Sequence, residues 1–332
     1  MNWLSNARII SIMAVIILHA AASNVTSNTI GSFDWWVGNF YDSSVRWCVP
    51  IFVMISGALL LDPSKDETLS VFYLKRTSRI LIPIIFWSIF YLLLLAYRSS
   101  IDSADKFILF SLKRIILGTP YYHLWFLYMI AGLYIFVPFF RKITKNSSNK
   151  EIIFLTLILF AVSITTFSYS FYKDSYTPLA VSLFIYYIPY FFLGHVLNKN
   201  IVNMCFSITV FLLTLTIVLT AIGFYLVAQN SGIKFGLYFY SYPSMTVTVM
   251  SFLVFILLKN IKYNLYFPAT SKLTLGIYLL HPLFLEFIQN KLVSHFSLTP
   301  LFSIPIVSII TFLSSLMCAY ILSKTPFLRK TI

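Results

Sequence analysis

The chain has 332 residues, of which 59% are hydrophobic and only 10% are charged, and its mean hydropathy is +0.86. Globular domains carry about 25% charged residues, so this composition excludes a soluble enzyme, an extracellular disulfide scaffold and a disordered chain. It is typical of a polytopic helical membrane protein. The net charge of +14 does not indicate nucleic-acid binding, because most Lys and Arg residues flank apolar runs, where they set topology and meet membrane lipids.

Ten apolar runs are each long enough to cross a bilayer as a helix, which takes about 20 residues. In chain order they cover residues 7–23, 45–62, 80–97, 122–140, 151–168, 180–197, 205–228, 239–258, 273–292 and 301–322. The connecting segments leave no room for a separate soluble domain. The prediction is an all-α fold of about ten transmembrane helices, with residues 1–332 forming one integral-membrane domain.

The distribution of cations predicts the orientation of the chain. With the N-terminus inside, most of the 24 Lys and Arg residues fall on the cytoplasmic side, so both termini are predicted to be cytoplasmic. The exception is the segment between the third and fourth spans. There residues 105–117 mix cations with apolar side chains, which predicts an amphipathic helix in the membrane interface.

The first span carries Arg8 and His19, and ionisable groups inside apolar spans indicate function by default. Eleven helical steps separate them by about 16 Å and turn only about 20° beyond full turns, so both point the same way. A neutral His19 can act as a general base, and Arg8 can hold a phosphate. The alternative is an Arg that reaches the interface and a His that bonds a backbone carbonyl.

The second and third spans add further candidates. Arg46 lies at the outer end of the second span, and Ser56 lies about 15 Å deeper, beside a Gly that lets a helix or ligand approach closely. Helix packing is the alternative for this Ser-Gly pair. Arg76 and Arg79 share one face of the third span and suit an anionic cofactor's phosphates, lipid headgroups or topology alone.

The fourth span opens with His123 and Trp125, which also fit an aromatic anchor at the outer interface. In the ninth span, His281 lies near the middle of the membrane, just before a Pro that perturbs the helix. Glu286 is the only acidic residue well inside a span, and its alternative is an outer-interface carboxylate. The three cysteines lack metal-binding spacing, so no metal site is predicted.

Five of these features occur in the order found in the acyltransferase-3 family of bacterial inner-membrane O-acyltransferases, which the chain resembles. They are Arg8 with His19, the run 49–57, Arg76 with Arg79, the run 123–127 and the run 276–282. The single-domain form is similar to the O-acetyltransferases of the enterobacterial common antigen and of O-antigens. The resemblance implies a multi-pass protein of the bacterial inner (cytoplasmic) membrane.

The resemblance also implies that acetyl-CoA is the donor co-substrate, on the cytoplasmic side, and that a hydroxyl of a glycan or lipid-linked oligosaccharide is the acceptor. It implies that His19 is the catalytic histidine and that Arg8 serves the donor. No permanently bound cofactor and no nucleic acid are expected, and membrane lipids are the remaining partners. Larger family members carry an acidic residue soon after the His-x-Trp stretch, whereas here the next one is Glu151. The candidates for an acid that orients His19 are Asp34, Asp42 and Glu286.

The predicted reaction transfers an acetyl group to the glycan, with His19 as base. The predicted catalytic residues are His19 and Arg8, and the predicted donor-binding residues are Ser56, Arg76 and Arg79. The acceptor-side or structural residues are Arg46, His123, Trp125, His281 and Glu286. Two alternatives stay open. One is transfer of another acyl group such as succinyl, and the other is a transporter of a lipid or an anionic solute.

Overall fold

The computed structural model describes residues 2–62, 64, 67–99, 103–173, 179–200, 202–261, 268–293 and 298–332. Within these ranges every regular element is a helix. The α-helices are α1 (Asn2–Ser27), α2 (Phe33–Val45), α3 (Cys48–Leu60), α4 (Leu69–Arg98), α5 (Ala104–Leu117), α6 (Trp125–Asn146), α7 (Asn149–Tyr172), α8 (Phe184–Lys199), α9 (Phe206–Ser231), α10 (Ile233–Gly236), α11 (Met245–Asn260), α12 (Pro268–Lys272), α13 (Thr274–Ile288) and α14 (Pro300–Lys324). Short 3-10 turns cover Ala180–Leu183, Leu237–Tyr240 and Leu328–Lys330, and a π-helical turn covers Gln289–Val293.

Nine helical segments of the described residues are long and apolar enough to cross a membrane. They correspond in order to nine of the ten predicted spans. The remaining predicted span, 273–292, corresponds to the 15-residue α13 and the π-helical turn that follows it. The prediction of an all-α polytopic membrane protein is confirmed.

The second crossing begins earlier than predicted. It runs over Phe33–Leu60 rather than over 45–62, because α2 and α3 follow each other with a short break at Arg46 and Trp47. Ser32 caps α2, since its hydroxyl accepts a hydrogen bond from the backbone N–H of Trp35 at 3.2 Å. Polar side chains in α2 hid this half of the crossing from a reading based on hydropathy.

Helix α1 lies at the centre of the bundle. It packs against α2, α3, α11, α13 and α14, so most of its faces meet protein rather than lipid. Ala7, Ile12, Ile16 and Ala21 on this helix are fully buried. The Arg8–His19 face of α1 is therefore directed into the bundle, where helices that are distant in sequence converge on it.

Helices α3 and α8 make the closest helix–helix contact that positions the site. A Cβ on Gly57 would lie 1.8 Å from the carbonyl oxygen of Phe191, and a Cβ on Gly194 would lie 2.0 Å from that of Met54. Only glycine fits at such distances, as in small-residue contacts between membrane helices. The Ser-Gly pair of the second span therefore serves helix packing through its glycine.

The segment 105–117 is helical, as predicted, and forms most of α5. Its N-cap is Ser103, and it ends at Gly118, whose φ of 68° is the left-handed conformation that favours glycine. Leu109 and Ile116 are strongly exposed, and the helix is in contact mainly with α4. An apolar face left uncovered by protein is what an interfacial helix presents to lipid.

Candidate active site

Two spaces in the bundle border the face of α1 that carries His19, and we name each by the end of α1 nearest to it. The outer cavity, on the Ser27 side, has a volume of about 440 Å³, and His19 lines it together with Arg46 and Trp125. The inner pocket, on the Arg8 side, has a volume of about 120 Å³, and Val15 lines it. Val15 precedes His19 by one helical turn, so one face of α1 presents Arg8, the inner pocket and the outer cavity in order.

The two spaces differ in their walls. Besides Val15, the inner pocket is lined by Val49, Phe52, Phe126, Thr274, Leu275 and Tyr278. The outer cavity is lined by many aromatic side chains, among them Trp125, Phe167, Phe171, Tyr186, Tyr187, Tyr240 and Tyr242. The side chains of Trp125 and Tyr242 are stacked, with ring centroids 5.8 Å apart. The outer cavity therefore offers flat apolar surfaces edged by hydroxyl groups.

Three histidines from distant parts of the chain meet where His19 lines the outer cavity. The rings of His19 and His281 are stacked at 5.3 Å, and the ring of His123 meets that of His281 edge-on at 5.4 Å. His123 and His281 are buried, whereas His19 is partly exposed to the outer cavity. Over the described part of the chain, no group of three His, Cys, Asp or Glu side chains could hold a metal ion.

The backbone fixes the tautomer of neutral His281. Its Nδ1 lies 2.6 Å from the carbonyl oxygen of Tyr278, and a carbonyl oxygen can only accept, so Nδ1 carries the proton. The Nε2 atom is then an acceptor, and it is buried without a hydrogen-bond partner among the described residues. The Tyr278 hydroxyl in turn donates to the carbonyl of His123. These contacts hold the His281 ring against the face of His19.

Arg46 carries the positive charge at the wall of the outer cavity. Its Nη2 lies 2.5 Å from Oδ2 of Asp42, whose side chain is only 1% exposed. Its guanidinium carbon lies 3.9 Å from the ring centre of Tyr240, and its Nη1 donates to the carbonyl of that residue. The break between α2 and α3 brings Arg46 to the cavity, and Asp42, four residues earlier on α2, neutralises it.

At the inner end of the site, Ser56 and Tyr134 lie near Arg8. The Tyr134 hydroxyl donates to Ser56 Oγ at 3.2 Å, and the Ser56 hydroxyl donates to the carbonyl of Phe52, which lines the inner pocket. Arg8, at the same end of the bundle, is partly buried. A cation and two hydroxyl groups therefore stand on the Arg8 side of the inner pocket.

The second group of cations on this side surrounds the buried ring of Phe72. The guanidinium carbons of Arg76 and Arg141 lie 5.6 and 5.0 Å from its centre. Glu67 bridges Arg141 and Lys75, and its hydrogen bond from Lys75 lowers the pKa of the Glu67 carboxyl, which is therefore ionised at neutral pH. Arg76 is partly buried, whereas Arg79 is exposed.

The comparison with known families decides the identity of this bundle. The sequence model of the acyltransferase-3 family, described as an acyltransferase domain, matches residues 1–323. The chain belongs to the acyltransferase-3 family. No curated protein and no solved structure matches it.

In this acyltransferase, the structure brings together most of the residues singled out from the sequence. His19, His123 and His281 meet, and Arg46 and Trp125 share the outer cavity with His19. The predicted donor-side residues lie toward the Arg8 end, and Arg76 rather than Arg79 is the partly buried member of its pair. His123 is not an exposed interface residue, since only 1% of it is exposed.

None of the three carboxylates considered as partners of His19 is hydrogen-bonded to it in the described part of the acyltransferase. Asp42 binds Arg46, and Glu286 binds Arg98 at 2.6 Å and accepts from the hydroxyl of Tyr121. Asp34 lies in the first turn of α2. The rings of His281 and Tyr122, not a carboxylate, are in contact with the ring of His19.

Sequence reasoning missed several contacts of the site in the acyltransferase, among them the pairing of two residues that it named separately. The i,i+4 spacing of Asp42 and Arg46 was a usable signal, because such pairs adjoin on a helix. No local pattern identifies Tyr122, whose ring lies 5.0 Å from that of His19, or Arg141, which joins Arg76 at Phe72. Those contacts arise between separate helices and loops.

Proposed function

We propose that this protein is a membrane O-acetyltransferase, which moves an acetyl group from cytoplasmic acetyl-CoA to a hydroxyl of a cell-surface or lipid-linked glycan. The observation that carries the proposal is the position of His19 on a helix face that borders two unlike spaces. His19 lines the aromatic outer cavity, and Val15, one helical turn earlier on the side of the cations, lines the apolar inner pocket. A transfer between two substrates that approach from opposite sides needs this arrangement.

The donor lies on the Arg8 side. Arg8 and Arg76 bind the CoA phosphates, since arginine matches phosphate oxygens with two parallel hydrogen bonds. The pantetheine arm passes Ser56 and directs the thioester toward the inner pocket. The apolar wall of this pocket favours acetyl over succinyl, because a succinyl carboxylate would be buried there without a partner.

The acceptor lies in the outer cavity. Its volume of about 440 Å³ falls within the usual range of ligand pockets, about 300–1,000 Å³. Trp125 and the tyrosines offer faces on which a sugar ring can stack. Because Arg46 is neutralised by Asp42, the wall suits an uncharged sugar better than an acidic one.

The reaction then proceeds by general base catalysis. His19 takes the proton of the acceptor hydroxyl, and the hydroxyl oxygen attacks the thioester carbonyl carbon. The C–S bond breaks, the new C–O ester bond forms, and the proton on His19 passes to the CoA thiolate. His281 stacks on the His19 ring and holds its plane, while the backbone carbonyl of Tyr278 holds His281.

The test is mass spectrometry of surface and lipid-linked glycans from cells with the wild-type protein, with His19→Ala, and with no protein. A mass increase of one acetyl group is expected in the wild type only. His195→Ala is the control, since this buried histidine of α8 lines neither space. Amounts of folded protein in the membrane are matched by size-exclusion chromatography.

Full acetylation by His19→Ala would contradict the mechanism. A shift of a different acyl mass that depends on His19 would replace acetyl by that group. If the folded wild-type protein produced no acyl shift, the proposal that it acylates a glycan would fail. Transport of a lipid or anionic solute would then be tested next.

A further inference from the structure

The loop between α5 and α6 brings to His19 a ring that takes no part in the proposed reaction. Tyr122 lies in this loop, and its ring meets that of His19 edge-on at 5.0 Å. The His19 ring is therefore in contact with two rings, that of Tyr122 and the stacked ring of His281. Tyr122 is 44% exposed, so burial of its own side chain does not fix where its ring lies. Its position has to come from its neighbours in the loop.

The preceding residue, Tyr121, is anchored from two directions. Its hydroxyl donates to Oε1 of Glu286, and Oε2 of the same carboxylate lies 2.6 Å from Nη1 of Arg98. Its ring is stacked on that of Tyr91, with centroids 4.3 Å apart. Tyr91 is fully buried, and its hydroxyl donates to the carbonyl of Leu279 at 2.6 Å. These contacts tie the loop to both α4 and α13.

The following residue, His123, is anchored as well. It is buried, and its carbonyl accepts a hydrogen bond from the hydroxyl of Tyr278 on α13. Its ring meets that of His281, three residues further along the same helix, edge-on at 5.4 Å. Because both flanking residues are fixed, the backbone of Tyr122 has little freedom, and its ring stays directed at His19.

We propose that Tyr121 and Glu286 are positioning residues, which hold the ring of Tyr122 against His19 and so keep this base in its reactive orientation. The inference rests on the proposed function, since it takes His19 as the base. The Glu286 carboxylate joins α13, the end of α4 and the loop at one point. Hydrogen bonds to an ionised group are roughly twice as strong as neutral ones, which suits a carboxylate to this task.

The placement of the Tyr122 ring is tested without acetyl transfer. Diethyl pyrocarbonate modifies the His19 imidazole of the purified full chain in detergent, and mass spectrometry of its peptides gives the rate. Tyr121→Phe removes one hydroxyl and keeps the ring. It is expected to raise the rate at least about fivefold, the change in an equilibrium that follows the loss of one hydrogen bond. Tyr128→Phe is the matched control with an unchanged rate, because its hydroxyl meets Ser88 of α4 at 3.0 Å, outside the loop.

Rates of acetyl transfer separate positioning from a structural role. Tyr121→Phe is expected to lower kcat about tenfold, less than the hundredfold of an ångström's displacement. KM for both substrates is expected to change less than about twofold, since Tyr121 and Glu286 line neither the inner pocket nor the outer cavity. Adding Tyr121→Phe to Tyr122→Ala is expected to cause no further loss, because the first change acts through the ring that the second removes. Glu286→Gln is expected to keep most of the activity that Glu286→Ala loses, since its amide oxygen still accepts from Tyr121.

The proposal is overturned if His19 is modified at the wild-type rate in Tyr121→Phe, or if the losses of Tyr121→Phe and Tyr122→Ala in kcat are additive. Tyr121→Phe decides the case even if Glu286→Ala does not fold, because it removes a single oxygen atom. If the modification rate rises as expected while the wild-type protein acetylates no glycan, the proposed function fails and the placement of the Tyr122 ring stands. If acetylation needs His19 but Tyr121→Phe acts like the wild type, only the positioning role fails.

Discussion

The inner pocket and the outer cavity lie on one face of α1, yet they differ in size, in the side chains of their walls and in charge. The inner pocket is small and apolar, with cations and hydroxyl groups placed behind it rather than in its wall. The outer cavity is larger, aromatic and polar at its edges, and its charged residue is already neutralised. The difference suggests a narrow passage that holds a thin chain on one side and a platform for a flat ring on the other.

The charges of the two regions differ in the same way. Arg46 is held by a carboxylate that is almost completely buried, so its pairing belongs to the folded structure. At the inner end, the carboxylate of Glu67 and the ammonium of Lys75 are more exposed, and such pairs break at little cost. The outer ion pair is therefore enclosed by the folded structure, whereas the Lys75–Glu67 pair is open to solvent on its lysine side.

The largest effect is expected on stability, when one ion pair is broken in each region. Asp42→Ala leaves Arg46 buried without its carboxylate, which costs about 3–5 kcal/mol of the free energy of unfolding. Lys75→Ala removes an exposed partner, because the Lys75 side chain is 57% exposed, and is expected to cost less than about 1 kcal/mol. Denaturant unfolding of the purified protein in detergent measures both. Equal losses would contradict the distinction between the two regions.

The next effect tests whether the inner pocket carries the donor. Val15→Phe fills the pocket next to His19, and the expected loss in kcat/KM for acetyl-CoA is about a hundredfold, as for reacting groups displaced by about an ångström. Val249→Phe is the matched control, because this residue of α11 faces outward and is 37% exposed. An active Val15→Phe enzyme would move the donor path away from this pocket.

A smaller effect distinguishes the two arginines of α4. Arg76→Gln is expected to raise KM for acetyl-CoA about tenfold, since a hydrogen bond to a charged group contributes about 1.5–3 kcal/mol. Arg79→Gln is expected to change KM less than about threefold, because an exposed charge is screened. Initial rates at low and high salt check both values. A reversal of this order would place the CoA phosphates on the exposed face of α4.

The smallest effect tests the aromatic wall of the outer cavity. Trp125→Ala is expected to raise KM for the glycan about threefold to tenfold, since an aromatic contact contributes about 0.5–1.5 kcal/mol. Its KM for acetyl-CoA is expected to stay unchanged. Trp125→Phe keeps a ring in place and should restore much of the affinity. A change in the acetyl-CoA constant alone would show that Trp125 faces the donor.

Local patterns in the sequence predicted the relative placement of some residues of the site. Helical periodicity placed Arg8 and His19 on one face, and the structure directs that face into the bundle. The Asp42–Arg46 spacing carried the same kind of local information. By contrast, the Ser-Gly pair of the second span fitted helix packing or a ligand equally well. Only the tertiary structure shows that this glycine serves helix packing. A Cβ added to it would lie 1.8 Å from the carbonyl oxygen of Phe191, which is 134 positions later in the chain.

The contacts of His19 with other helices could not be predicted from local patterns. An acidic partner was predicted among Asp34, Asp42 and Glu286, and the rings in contact with His19 are those of His281 and Tyr122 instead. Stacking between α1 and α13 depends on how two helices cross, and nothing within either segment encodes that crossing.

The sequence by itself determined that the chain is a bundle of membrane-crossing helices, because a backbone in lipid must satisfy its hydrogen bonds within each segment. It also determined which residues share a face of α1, because the helical repeat is fixed. Only the tertiary structure decided which helices surround that face, and so whether His19 meets lipid, protein or a cavity. That choice depends on the packing of side chains from distant segments, which the composition of any one helix leaves open.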